Sequence, residues 1–124
     1  KKELFFFPLN IILKKLGAIP VNRKSPNSVL EQIVDLYNQN DSLAIIITPE
    51  GTRKLTKNWK RGFYYIAQKA QVPIVIGYMD YSKKEIGFMD IFYPTGDYQK
   101  DLKVIQSYYK DKTAKYPENF FISK

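Results

Sequence analysis

The chain has 124 residues, 44% hydrophobic and 26% charged, a balance that suits one folded domain with a real core and argues against disorder. With no cysteine and no histidine, it can carry no disulfide, no thiolate nucleophile, no ordinary zinc site and no imidazole base of its own. Twenty Lys and Arg against twelve Asp and Glu give a net charge of +8, which leaves phosphorylated ligands, nucleic acid and anionic membrane surfaces as candidate partners.

The opening KKELFFFPLNIILKKLG places two lysines before an apolar run, as a targeting or membrane segment would. The run Leu4 to Leu13 contains Pro8 and Asn10 and falls well short of the roughly twenty residues that a spanning helix needs. A soluble or peripheral protein is expected. Leu4 to Leu16 reads as a short apolar helix ended by Gly17, and Ala18 to Val21 as a short buried strand. The apolar segment fits either a core helix or one lying in a membrane interface.

In SVLEQIVDLYNQN, Ser28 and Glu31 have capping-box spacing, and Val29, Ile33, Leu36 and Tyr37 share one helical face. Leu43 to Thr48 (LAIIIT) is a continuous β-branched run, which predicts a central strand buried on both faces. Beyond a charged connection, Phe63, Ile66, Ala67 and Ala70 recur at helical spacing until Gln71-Val72-Pro73 stops the helix. PIVIGYMDY and EIGFMDIFY flank Ser82-Lys83-Lys84 and read as two strands joined by a tight hairpin. A final helix is expected from about Tyr98 to Lys110 with Leu102, Ile105 and Tyr109 inward, before a polar tail. Helices alternating with buried strands, with no linker between them, imply a single α/β layered domain over residues 1–124.

The connection ITPEGTRKLTKNWKRG, Ile47 to Gly62, concentrates the candidate chemistry at the carboxyl end of the expected central strand, where α/β proteins tend to bind ligands. Gly51 allows close backbone approach, Thr52 offers a hydroxyl, and the fork of Arg53 can hold two phosphate oxygens at once. Glu50 can orient Arg53 or a substrate hydroxyl, and the cations around it are expected to keep it ionised. Lys54, Lys57, Lys60 and Arg61 add a steering field. The same residues also fit a plain turn followed by a solvated basic loop, with Glu50 and Arg53 paired to each other. GxxxxGK[ST], GxGxxG, GxSxG and HExxH are all missing, which removes the P-loop, Rossmann, serine-hydrolase and zincin readings.

TPEGTRK, Thr48 to Lys54, resembles the FPEGTRS block of the glycerolipid acyltransferases, the 1-acylglycerol-3-phosphate acyltransferase superfamily. LGAIPVNRK, Leu16 to Lys24, is similar to the GGIFIDR block of that family, and QVPIVIGYMD, Gln71 to Asp80, to its VPIVPV block, in the same order and at similar distances. WKRGFYYIAQKA resembles the helix that lies between blocks, so the likeness runs from about Lys1 to Asp80. Asn22, Thr48 and Ile76 depart from the pattern, where Asp, Phe and a second Pro are usual.

The resemblance implies a layered mixed β-sheet flanked by helices, like that of the glycerol-3-phosphate acyltransferases, here truncated at its N-terminus. It implies acyl transfer from acyl-CoA or acyl carrier protein, as co-substrate, to the hydroxyl of a glycerol phosphate or lysophospholipid. Arg23 and Arg53 would grip the acceptor phosphate, with Gly51 and Thr52 beside them and Glu50 in support. The catalytic His and Asp of the HxxxxD motif would precede Lys1, so the chain by itself is expected to be inactive. No metal or other cofactor is implied. The complete protein is expected in the cytoplasm, peripherally associated with the inner face of the membrane, and nucleic acid is not an expected partner. The alternative is a non-catalytic module that uses the same basic loop to bind phosphate, anionic membrane or nucleic acid, or a degenerate acyltransferase acting as a scaffold.

Overall fold

The computed structural model describes residues 8–15 and 28–122. The contacts within the chain group into two compact units, Lys1–Leu43 and Ala44–Lys124. The expected strand at Ala18 to Val21, the start and end of the first expected helix, and Arg23 lie outside the described residues.

In the first unit, helix α1 (Leu9–Lys15) follows Pro8, whose carbonyl accepts from Ile11 N at 3.1 Å. Helix α2 (Val29–Asn38) is built as the sequence predicts. Glu31 N donates to Ser28 Oγ at 3.2 Å and Ser28 N donates to Glu31 Oε2 at 2.8 Å, so two otherwise orphaned donors at the helix start are satisfied reciprocally. At the other end, Asn40 Nδ2 donates to Leu36 O at 2.7 Å. Val29, Ile33, Leu36 and Tyr37 are half-buried while Glu31 and Asp35 are exposed, the amphipathic division read from the spacing.

The second unit is built around a hairpin. Helix α3 (Gly62–Ala70) ends at Gln71, which takes the left-handed conformation at φ 54°, and strand β1 (Ile74–Asp80) starts after Pro73. Strand β2 (Glu85–Phe92) runs back antiparallel to β1, and helix α4 (Tyr98–Ser107) begins at Asp97, whose side chain accepts from Lys100 N. Buried Asp80 shapes the turn between the strands, its Oδ1 accepting from Ser82 N, Ser82 Oγ and Lys83 N. A short 3-10 helix, Pro117–Asn119, precedes the end of the described chain. Helix α4 stops at Ser107, short of the expected Lys110, because the chain passes into successive turns.

Trp59, Ile76 and Ile105 form the core of this unit, with Phe63, Ile74, Met89, Phe92, Leu102, Tyr108 and Tyr109 packed against it. The ladder slips between Ile76 and Gly77, so Ile76 pairs with Asp90 and Gly77 with Phe88, leaving Met89 as the extra residue of a bulge. Met89 packs on the core, and its neighbour Asp90 accepts a hydrogen bond from the Tyr108 hydroxyl instead of alternating outward. The opposite side of the hairpin exposes Val75, Met79, Ile86, Phe88 and Ile91.

Helices with an antiparallel hairpin make the chain mixed α/β, as expected, although the sheet among the described residues has two strands. The central strand expected at Leu43 to Thr48 is not found: these residues form no ladder among the described residues, and Ile46 is 97% exposed. A strand exists only through its partner's hydrogen bonds, and β1 and β2 pair with each other. A β-branched run supplies the propensity for a strand but not the neighbour.

Candidate functional site

The segment after Leu43 to Thr48 turns sharply. Gly51 N donates to Thr48 O at 3.2 Å, closing a turn in which Gly51 has φ +65°, a conformation that glycine adopts at no steric cost. Lys60 N donates to Pro49 O at 2.8 Å, so the far end of the basic loop returns to the turn and holds it. The Lys60 side chain lies across Gly51, where a Cβ would come within 2.9 Å of Lys60 Cε. The loop between is organised by its own hydroxyls: Lys54 N donates to Thr52 Oγ1 at 3.1 Å, and Asn58 N to Thr56 Oγ1 at 3.3 Å.

The structure therefore brings Glu50, Gly51, Thr52 and Arg53 onto one turn, with Gly51, Thr52 and Arg53 exposed and Glu50 half-buried. No ion pair joins Glu50 to Arg53. Burial pushes the Glu50 carboxyl above the ordinary glutamate range, whereas the surrounding cations were expected to hold it ionised. The lysines of the loop are solvent-exposed, so screening weakens them, and desolvation of the half-buried carboxyl prevails. Two of the expected steering cations are engaged elsewhere: Arg61 lies 4.8 Å from the centre of the Tyr98 ring and Lys57 5.8 Å from that of Phe121. Arg23, expected to share the phosphate grip, lies outside the described residues.

Beneath the turn sit residues that the sequence reading did not assign to the site. Trp59 is 7% exposed and meets Phe63 and Tyr109 edge-on, with ring centres 6.4 and 5.8 Å away. The Tyr109 hydroxyl donates to Gly77 O at 2.9 Å, and its pKa is raised by burial first and then by the Glu50 charge. Among the described residues the buried Trp59 indole N–H has no acceptor. The one signal for this cluster in the sequence is that the only tryptophan of the chain stands directly before Lys60-Arg61-Gly62.

Among the described residues no helix is long and apolar enough to cross a membrane. The chain is 35% identical over 81 residues to human (Homo sapiens) 1-acyl-sn-glycerol-3-phosphate acyltransferase beta, an alignment that takes in 60% of the chain and 29% of that protein. The chain thus spans less than a third of the length of this relative. No solved structure matches it significantly. The acyltransferase family matches residues 1–78, well over half of the sequence and the whole of the Glu50–Arg53 turn, and the chain belongs to that family.

Proposed function

We propose that the chain is the acceptor-gripping part of an acyl-thioester-dependent O-acyltransferase that moves a fatty acyl chain to a hydroxyl of a glycerol phosphate or lysophospholipid. The observation that carries this reading is the exposed Gly51–Arg53 turn, pinned by Lys60 to Pro49, inside the segment that matches the acyltransferase family. The name of the human relative supports a 1-acylglycerol phosphate as the acceptor class.

In this reaction the acceptor oxygen attacks the thioester carbonyl carbon, a C–O bond forms, the C–S bond breaks, and the hydroxyl proton passes through a general base to the departing thiolate. The donor is acyl-CoA or acyl carrier protein, and no other cofactor takes part. The base is not among these 124 residues, which include no histidine, and the reading assigns it to a histidine of the complete protein. Arg53, which has no carboxylate partner among the described residues, takes two oxygens of the acceptor phosphate, Arg23 supports it, Gly51 and Thr52 let the phosphate approach the backbone, and Glu50 orients the acceptor hydroxyl. The complete protein works peripherally at the cytoplasmic face of a membrane, where its acceptor resides.

Thiol release from an acyl-CoA or acyl carrier protein donor by the complete protein, measured with lysophosphatidate, glycerol 3-phosphate and uncharged hydroxyl acceptors, tests the reading. Acceptor-dependent release that favours the phosphorylated acceptors is expected. Arg53→Ala should raise the acceptor KM by about 10- to 100-fold, the worth of a hydrogen bond to a charged group. Release that no acceptor stimulates, together with steeply salt-dependent binding to polyanions in general, would refute the enzyme and support a binding module.

A further inference from the structure

Trp59 combines two properties that seldom coexist: a core position, and a polar N–H with nothing to bond. A buried donor without an acceptor costs about 1–3 kcal/mol, and such groups in native proteins call for a reason. The packing neighbours of the indole offer no relief. Phe63, Ile76 and Ile105 have no side-chain acceptor, and the Tyr109 hydroxyl, which donates to Gly77 O, takes no bond from the indole.

One charged residue has its backbone beside that of Trp59. The 2.8 Å bond from Lys60 N to Pro49 O sets the backbones of Trp59 and Glu50 side by side, since Trp59 C is bonded to Lys60 N and Glu50 N to the Pro49 carbonyl carbon. Tyr109 meets the Trp59 ring edge-on, and the Glu50 charge reaches its hydroxyl. Glu50 itself is half-buried and makes no ion pair with Arg53.

We propose that Trp59 is the positioning residue for Glu50: when a phosphorylated acceptor occupies the Gly51–Arg53 turn, the Glu50 carboxylate closes onto the Trp59 indole N–H, with the Tyr109 ring as the backstop. Hydrogen bonds of this kind are commonly open in the free protein and tighten in the complex. The bond fixes one carboxylate oxygen and leaves the other to face the acceptor hydroxyl, so the ring sets the direction of the acid. The proposal rests on the reading of this turn as the acceptor site.

The test uses the single tryptophan of the chain, whose indole N–H gives one resonance in an isotope-labelled sample. On titration with glycerol 3-phosphate, the Gly51 and Arg53 amides should shift and the Trp59 indole proton should move downfield; in Glu50→Ala the amides should still respond while the indole proton stays in place. Amides that shift with an unmoved indole, or an indole that moves equally in Glu50→Ala, would overturn the proposal and leave the acceptor-site reading standing. Amides that do not respond to glycerol 3-phosphate or to lysophosphatidate would overturn both. In the complete protein, Trp59→Phe keeps an aromatic side chain and removes the donor; it should lower kcat about tenfold, with the acceptor KM changed less than about twofold. Combined with Glu50→Ala it should cost no more than Glu50→Ala alone, whereas losses that multiply would refute the coupling.

Discussion

Replacing Tyr64 by Phe removes one oxygen and leaves the ring. That oxygen donates to Asp101 Oδ2 at 2.6 Å and accepts from Gly96 N at 2.9 Å, and both Tyr64 and Asp101 are buried. Asp101 retains Thr95 N at 2.7 Å and Thr95 Oγ1 at 2.8 Å, so the carboxylate is weakened and not abandoned. Gly96 is exposed and water can replace its acceptor. The loss is therefore one hydrogen bond to a charged group, about 1.5–3 kcal/mol. For a unit of this size that corresponds to a fall in Tm of about 9–18 °C.

The pH dependence carries a sign that separates this bond from simple loss of packing. Burial raises the Asp101 pKa, but the bonds from Tyr64 and Thr95 outweigh it and hold the carboxyl below the usual aspartate range. Its contribution is complete above about pH 3.9 and disappears as the pH falls through the lowered value. Burial and the bond to Asp101 raise the Tyr64 hydroxyl, so its contribution is complete below about pH 10 and is lost as the pH rises through the raised value. Urea unfolding followed by circular dichroism should thus show the widest gap between wild type and Tyr64→Phe near pH 7, narrowing at both extremes. A gap under about 0.5 kcal/mol at pH 7, or one of equal size at pH 7 and pH 2, would refute the reasoning.

Three further outcomes are expected. Ser28→Ala should cost helix α2 about 1 kcal/mol, read as lost helicity and a lower urea midpoint, because Glu31 N loses its acceptor Ser28 Oγ while the bond from the backbone N–H of residue 28 to Glu31 remains. Gly51→Ala places a Cβ on a backbone at φ +65° and against Lys60, so it should destabilise by about 1–2 kcal/mol and weaken glycerol 3-phosphate binding, while Gly51→Asn, which tolerates that conformation, should lose less stability. Glu50→Gln should raise Tm at pH 7: burial holds the Glu50 pKa up, so wild type loses stability as the pH rises from about 4.3 through the raised value, and an uncharged side chain does not. Equal pH profiles for the two proteins would contradict that account, and acceptor-dependent turnover by the complete protein should still fall in the variant.

Much of the fold was legible wherever local chemistry decides structure. The capping box of Ser28 and Glu31, the stop at Gln71 to Pro73 and the hairpin around Ser82 to Lys84 all depend on residues a few positions apart. The β-branched run at Leu43 to Thr48 was misread because strand formation is a property of a pair of segments, and the partner is not written into the run. In the site, the turn at Glu50 to Arg53 could be picked out from its composition. The return of Lys60 to Pro49, the Lys60 side chain over Gly51, and the meeting of Trp59 with Tyr109 could not, because they join positions separated by loops or by a whole hairpin.

The bulge at Met89 gives the hairpin a tolerance to changes in chain length. In a regular strand, deleting one residue turns every later side chain to the opposite face. Here Met89 is the residue without a partner across the ladder, so its deletion would join Phe88 to Asp90 and restore strict alternation, leaving Ile91 facing outward and Phe92 inward as they are now. The loss would be the packing of one methionine and not the inversion of a strand. Insertions and deletions among related chains should therefore concentrate at this point of β2, and a designer wishing to shorten the sheet should cut there.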